Sequence, residues 1–452
     1  MTRPAAAFSG SSLFARVLRS TSWVLIGYGG SQALRLASNL ILTRLLFPEA
    51  FGLMALVSVV TVGLMLFSDV GISPSIAQSK RGDDPDFLNT AWTIQVIRGT
   101  LLFGVACLVT GPVAQFYSEP DLNTYLPIAA VALLVSGFNP TRIETANRHL
   151  LIGRLTVLDL ISQVLGLVFM IVMAVMTQSI MSLVLGSVLQ EVAKLVLTHF
   201  FLPGARNKFR WETAAAAELA HFGKWIFLST GLAFLISQGD RAILGRFLSL
   251  EMLGLYNIGF FLGSFPSMLG FAINQRIAIP IYRDKPAFMN RENQRKHQIM
   301  RVGMTSLIAG LLLVMAFVGP ALVAFMYDDR YLLSGPIVTL VSLALIPQVI
   351  GMTYDQAALA AGDGRSFFIL NLIRASLQIS AILIGITQFG LIGAILAIGV
   401  VPFLVYPVQV WLARKHHAWG PFHDLVAVIT LALFAASVMS LHWDKTSLIS
   451  QL

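Results

Sequence analysis

The chain has 452 residues, 56% hydrophobic and only 12% charged, with 31 Lys and Arg against 22 Asp and Glu and a net charge of +9. This composition excludes a disordered chain and argues against a soluble enzyme, because no aqueous fold has enough interior for so much apolar sequence and a bilayer must serve as solvent. A basic, apolar chain points to an anionic membrane surface before nucleic acid, and no nucleic-acid partner is expected.

The first twenty residues are polar, carry Arg3, Arg16 and Arg19, and lead into a long apolar segment. That pattern reads as a retained first span rather than a cleaved signal peptide. A bilayer core needs about 20 apolar residues per helix. On that measure thirteen spans are expected, near 22–46, 50–77, 88–112, 124–144, 156–177, 180–202, 224–248, 252–275, 300–324, 333–358, 366–387, 389–412 and 425–441. The last is short and is followed by His442 and Trp443.

Alternate loops are basic. They hold Lys80 and Arg81; Arg142, Arg148 and Arg154; Arg206, Lys208 and Arg210; the run from Arg283 to Arg301; Arg365; and Arg414 with Lys415. The intervening loops hold Glu49, Glu119 with Asp121, Glu251, and Asp328 with Asp329. Basic loops face the cytoplasm. The N-terminus is therefore expected inside and the C-terminus in the periplasm. All outward loops are short. The connector 204–223 contains an apolar and charged mix, Trp211–His221, that reads either as an interfacial helix or as a solvated loop. Cys107 is the only cysteine, so no disulfide or Cys/His metal motif exists and no metal site is expected.

The two halves echo each other. ILTRLLFPEAFGL (41–53) recurs as ILGRFLSLEMLGL (243–255), with Ile41, Leu42, Arg44, Leu46, Glu49, Gly52 and Leu53 matched by Ile243, Leu244, Arg246, Leu248, Glu251, Gly254 and Leu255. Six spans separate the copies, and an even number preserves orientation, so a parallel repeat is expected. The fold class is then an all-α polytopic membrane protein: two six-helix bundles around a central cavity, plus one C-terminal helix. The expected segments are 1–21 (cytoplasmic N-terminus), 22–203 (first bundle), 204–223 (connector), 224–415 (second bundle) and 416–452 (last span and tail).

The Arg44–Gly52 pattern R-x-L-x-x-x-x-x-G, its copy at Arg246–Gly254 and the run AALAAGDGRSFFILNLIRASLQISAILIGITQFGLIGAILA (357–397) resemble the polysaccharide transporters of the multidrug/oligosaccharidyl-lipid/polysaccharide exporter superfamily. The resemblance implies a flippase that moves undecaprenyl-diphosphate-linked sugar repeat units across the bacterial inner membrane, for O-antigen, exopolysaccharide or capsule assembly. It implies no enzymatic activity and no cofactor. Polysaccharide polymerase and chain-length proteins would be its pathway partners. Members often carry fourteen spans, where thirteen are read here.

An ionisable side chain inside a span is costly and marks a functional site by default. Arg374, Arg98, Arg35 and Arg241 lie roughly 12, 15, 20 and 25 Å from the cytoplasmic ends of their spans, at 1.5 Å per residue. Facing one cavity, they would form the cationic ladder that a lipid diphosphate needs, since guanidinium groups bind phosphate through paired hydrogen bonds. Polar residues share their helix faces: Tyr28, Gln32 and Asn39 with Arg35, Thr230 and Ser237 with Arg241 and Gln238 beside them, and Asn371 and Gln378 with Arg374. Each arginine equally has a structural reading, in which a carboxylate or carbonyl ties it off within one bundle. No Walker lysine motif is present, so an H+ or Na+ gradient is the expected energy source. Asp240, beside Arg241, is the coupling candidate, with pairing to an arginine as its alternative. Glu191 and Lys194 are spaced for a local ion pair. Gly29 and Gly30 mark a hinge or a packing contact, and the basic segment 276–301 is expected to meet anionic headgroups. A small-molecule exporter of the same superfamily and a membrane polymerase or ligase remain as alternatives.

Overall fold

The computed structural model describes residues 13–284 and 289–447, and among these it contains helices and turns but no strand. In chain order the helices are α1 (Leu13–Leu45), α2 (Pro48–Leu66), α3 (Ile72–Gln78), α4 (Pro85–Tyr117), α5 (Leu122–Gly137), α6 (Arg142–Arg148), α7 (Ile152–Thr177) and α8 (Met181–Phe201). They continue with α9 (Thr213–Phe247), α10 (Leu250–Asp284), α11 (Arg291–Met326), α12 (Ser334–Gly351), α13 (Tyr354–Ala360), α14 (Gly364–Lys415), α15 (Pro421–Leu441) and the short α16 (Trp443–Ser447). The chain is an all-helical, multi-pass membrane protein.

Among the described residues nine helices are long and apolar enough to cross a membrane, or up to eleven if two bent pairs each count as one span. One bent pair is α5 with α6, which meet at 60°. The longest helix, α14, covers two of the expected spans and is broken inside at Gly390, with φ 59° and ψ −152°. That conformation is essentially open to glycine alone.

By packing, the chain divides into two units, Met1–Phe234 and Leu235–Leu452. The boundary falls inside α9 rather than at the end of the connector. The reason is local: Ala215 and Leu219 at the start of α9 are buried with Ile72, Ile76, Phe87 and Ala91. The segment Trp211–His221 is thus neither a free loop nor wholly interfacial. Its helical part is a packed element of the first unit.

In the first unit α1 packs on α7, α4 on α5, and α7 and α5 on α8. A Cβ on Gly27 or Gly30 would meet Thr156 or Leu160 of α7. These glycines allow close helix approach, and α1 runs through Gly29 and Gly30 as continuous helix. Gly99 and Gly137 do the same for α4 and α5, whose backbones nearly touch.

In the second unit α12 is central, packed by α10, α11 and α14, with α15 against α11 and α12. Nearly every residue of α12 is buried. A helix apolar all round is what a bundle centre requires. The expected span 333–358 is two helices here, separated at Met352 and Thr353. Buried amides catch the carbonyls that the break frees: Asn274 donates to Met352 O at 2.8 Å and Gln409 to Gly351 O at 2.9 Å. The break in the first unit is held likewise, with Trp92 donating to Phe138 O and Gln95 to Ser136 O and Asn139 O. Such partners are needed because lipid offers none.

Candidate functional site

The two intramembrane arginines expected in the first unit differ in environment. Arg35 is exposed on α1, with Tyr28, Gln32 and Asn39 partly buried on the same helix. Next to this stripe Gln163 of α7 donates to Ser31 Oγ at 2.9 Å, so a polar contact joins the two helices at that level. Arg98 is tied to the C-terminal end of α2. Its Nε donates to Ser68 Oγ at 3.0 Å and its Nη2 to Met65 O at 2.5 Å. The last carbonyls of a helix lack intrahelical donors and carry partial negative charge, so Arg98 serves there as a cap.

The second unit shows the same contrast. Arg374 forms an ion pair with Asp355 at 2.9 Å and also donates to Asn371 Oδ1 at 3.2 Å. The pair is largely buried, the side chains being 17% and 11% exposed. Gln409 donates to the second Asp355 oxygen at 2.8 Å. Asn371 spends its own amide on Phe367 O, and Gln378 reaches Ile236 O.

Arg241 is held differently. Its Nε donates to Asn257 Oδ1 at 2.9 Å, its Nη1 to Gln238 Oε1 at 3.2 Å, and the guanidinium lies 5.3 Å from the Phe260 ring centre. These contacts orient the group without neutralising it. Among the described residues no carboxylate pairs with Arg241. Its neighbour Asp240 is buried and accepts from the Tyr256 hydroxyl at 2.7 Å. The expected arginine partner of Asp240 is therefore replaced by a tyrosine.

The structure thus brings Gln238 to Arg241 and Asn371 to Arg374. Of these two arginines of the second unit, Arg241 is the one that meets amide oxygens and an aromatic ring rather than a carboxylate among the described residues. Lys194 pairs with Asp159 of α7 at 3.2 Å rather than with Glu191 on its own helix. Crossing to α7 joins two packed helices, which a pair within α8 would not do.

Sequence reasoning missed a buried polar cluster in the second unit, where α13 meets the starts of α11 and α15. Arg301, 3% exposed, stacks 4.7 Å from the Tyr354 ring centre and donates to Ala418 O. Asp424 accepts from Tyr354 at 2.7 Å and from Tyr406 at 2.7 Å, and meets His423 Nδ1 at 2.9 Å. Arg301 belongs to the basic run expected at lipid headgroups, but its side chain points into the protein. Its spacing from the buried Met300, Met304 and Ile308 on α11 was the available signal.

Outside the spans, charges around the start of α4 in the first unit pair with one another. Arg81 bridges Asp84 and Glu212, and Asp83 meets both Arg148 at 3.1 Å and His149 at 2.7 Å. The Arg81 contact holds the Asp84 and Glu212 carboxyls below their usual range, and the hydrogen bond from His149 does the same for Asp83. Among the described residues no group of His, Cys, Asp and Glu is arranged to hold a metal ion.

Comparison with known proteins places this architecture. A family model described as "Polysaccharide biosynthesis protein" matches residues 41–285, just over half of the chain. The chain belongs to this family. It is 22% identical over 315 residues to the teichuronic acid biosynthesis protein TuaB of Bacillus subtilis, a match covering 67% of this chain and 62% of that protein. The chain thus spans less than two thirds of the length of TuaB. It is 22% identical over 391 residues to the lipopolysaccharide biosynthesis protein WzxC of Escherichia coli, covering 85% of this chain and 78% of the relative. Among solved structures, the lipid II flippase MurJ in an inward closed conformation aligns with a TM-score of 0.66 at 11% identity, over 93% of this chain and 98% of that one. A MATE multidrug transporter in an inward-facing conformation gives 0.62 at 15% identity, over 86% and 95%. At such identity these likenesses establish the fold alone.

Proposed function

We propose that this chain is a flippase, a transporter rather than an enzyme. It carries a lipid-linked oligosaccharide, on an undecaprenyl diphosphate carrier, from the inner to the outer leaflet of the bacterial inner membrane. The observation that carries this reading is Arg241, a guanidinium on a membrane helix held by Asn257, Gln238 and Phe260 and, among the described residues, by no carboxylate. A charge within a membrane span without an opposite charge is expensive. An oxyanion that docks there recovers that cost, and a diphosphate fits the planar donor fork of arginine. Arg35 on α1 is proposed as a further phosphate contact. The names of TuaB, WzxC and MurJ support a saccharide or lipid-linked cargo.

Transport proceeds by alternating access, with the arginines reached first from one face of the membrane and then from the other. The gradient of H+ or Na+ acts through Asp240, the buried carboxylate next to Arg241. Polysaccharide polymerase and chain-length proteins consume the flipped units.

The test is a deletion strain in which the pool of undecaprenyl-linked sugars and its leaflet are determined. Single repeat units trapped on the cytoplasmic side, with surface polymer lost, support the flippase. Single units stranded outside would mean a polymerase or ligase step. An unchanged pool would mean a small-molecule exporter.

A further inference from the structure

Residues 205–212 cross the first turns of α4 as a strap without helix or strand. Alternate backbone amides hold it there: Lys208 N donates to Asn89 Oδ1 at 2.9 Å, Arg210 N to Thr93 Oγ1 at 3.1 Å and Glu212 N to Thr90 Oγ1 at 3.1 Å. Upstream, Asn207 and Thr141 exchange two hydrogen bonds, and Arg142 donates to the carbonyls of His199, Leu202 and Ala205. The strap is therefore fixed in shape. Its anchor points lie within roughly 12 Å of the start of α4 along the helix axis, the depth of the polar boundary of a bilayer.

The side chains of the strap face outward in a distinctive mixture. Phe209 is 68% and Trp211 58% exposed, and just upstream Phe200 and Phe201 at the end of α8 are 73% and 60% exposed. Phe209 rests on Trp92, with ring centres 4.9 Å apart. Between and beside these aromatics stand Arg206, Lys208 and Arg210, all exposed. Arg210 leans on Asp86 and Glu212 is taken by Arg81. Among the described residues Arg206 and Lys208 have no ion-pair partner. Four open aromatics within a dozen residues, interleaved with unpaired cations, match what the membrane boundary selects: flat amphipathic rings at headgroup depth, and long basic chains that reach phosphate.

We infer that this strap is a docking surface for anionic phospholipids of the inner leaflet. Phe209 and Trp211 enter the boundary of the acyl region, and Arg206 and Lys208 bind headgroup phosphate. The inference rests on the cytoplasmic placement of the connector, not on the transport reading, and it stands whatever the cargo is.

The test uses the full chain in nanodiscs and reads quenching of Trp211 fluorescence by lipids brominated on the acyl chain. Subtraction of the Trp211→Phe protein isolates the signal. Brominated phosphatidylglycerol is expected to quench Trp211 more strongly than brominated phosphatidylcholine. The preference should fall about fivefold for each charge removed by Arg206→Gln or Lys208→Gln, the weight of one basic residue near an anionic surface. Trp211 left unquenched by either lipid in the wild-type chain would overturn the inference, because the strap would then face the cytosol. Equal quenching by both lipids would overturn the phosphate assignment. Both readings concern wild-type Trp211, with the Trp211→Phe protein serving only as the background that is subtracted.

Discussion

The Asp240 carboxylate accepts a hydrogen bond from the Tyr256 hydroxyl at 2.7 Å, and the next residue of each helix repeats the link, Arg241 to Asn257 at 2.9 Å. Two consecutive residues of α9 are thus clamped by two consecutive residues of α10. The clamp aims Arg241 while Asp240 is turned away from it. Replacing Tyr256 by Phe removes the donor and leaves a buried carboxylate unsatisfied, which costs about 1.5–3 kcal/mol. Thermal unfolding in nanodiscs should show this loss. Asp240→Asn keeps an acceptor for Tyr256, so its stability should stay near wild type while transport loses its dependence on the ion gradient. Gradient-driven transport that persists in Asp240→Asn would take Asp240 out of the coupling mechanism.

Arg374 and Asp355 make the opposite case, a charge fully answered within one unit. Removing Arg374 alone strands a buried carboxylate that retains only the Gln409 amide. Breaking one side of a buried pair costs about 3–5 kcal/mol. Arg374→Ala should therefore unfold earlier and accumulate poorly. Asp355→Asn added to Arg374→Ala should recover much of that loss, since no charge is then left alone. An Arg374→Ala protein of wild-type stability with lost transport would instead make Arg374 a substrate contact.

The phosphate role proposed for Arg241 and Arg35 should separate from stability. Arg241→Gln and Arg35→Ala should insert and fold normally yet abolish polymer export. Among the described residues Arg241 lacks the carboxylate partner that stabilises Arg374, and Arg35 lies on an exposed face of α1. Unchanged export in either variant, scored by surface polymer, would remove that residue from the pathway.

Much of the fold was legible because apolar runs of bilayer length declare themselves as helix, although nine to eleven of the described helices or helix pairs qualify as spans where thirteen were expected. The breaks within spans were not legible. Residues 138–141 and 352–353 lie in or beside apolar sequence, and the chain bends there because distant amides, Gln95, Asn274 and Gln409, bind the freed carbonyls. At the site the sequence correctly marked which arginines lie inside helices. Which of them are answered by partners depends on contacts it did not reveal, such as Arg98 on Met65 O or Arg301 on Ala418 O. Asp159 lies on another helix from Lys194, so spacing along α8 favoured Glu191 instead.

Two glycines give contrasting expectations. Gly390 has φ 59° and ψ −152°, and beside it Gly385 and Gly393 approach so closely that a Cβ on either would strike the other's backbone. Gly390→Ala should cost about 1–3 kcal/mol in backbone strain. Gly29 has nothing within 4 Å of an added Cβ and sits in continuous helix. Gly29→Ala should be neutral or slightly stabilising, as for any exposed helical site. Transport by the stable Gly29→Ala protein tests the hinge: normal flux leaves packing as the whole role of this glycine pair.

The connector should loosen in acid, in a defined direction. Asp83, Asp84 and Glu212 are held below their ordinary values by His149 and Arg81, so they lose protons more readily folded than unfolded. Their contribution is complete above the unfolded carboxylate values near 4, and it fades as pH falls through the lowered folded values. These groups are partly exposed, so the effect is modest. Cleavage of the 205–212 strap by an acid-active protease should be slow at pH 6 and should speed up below about pH 4. Arg81→Gln should raise cleavage at pH 6 and flatten the acid response, because Glu212 then has no partner to lose. A pH profile identical in wild type and Arg81→Gln would show that the ion pairs do not hold the strap, and that the backbone bonds to Asn89, Thr90 and Thr93 suffice.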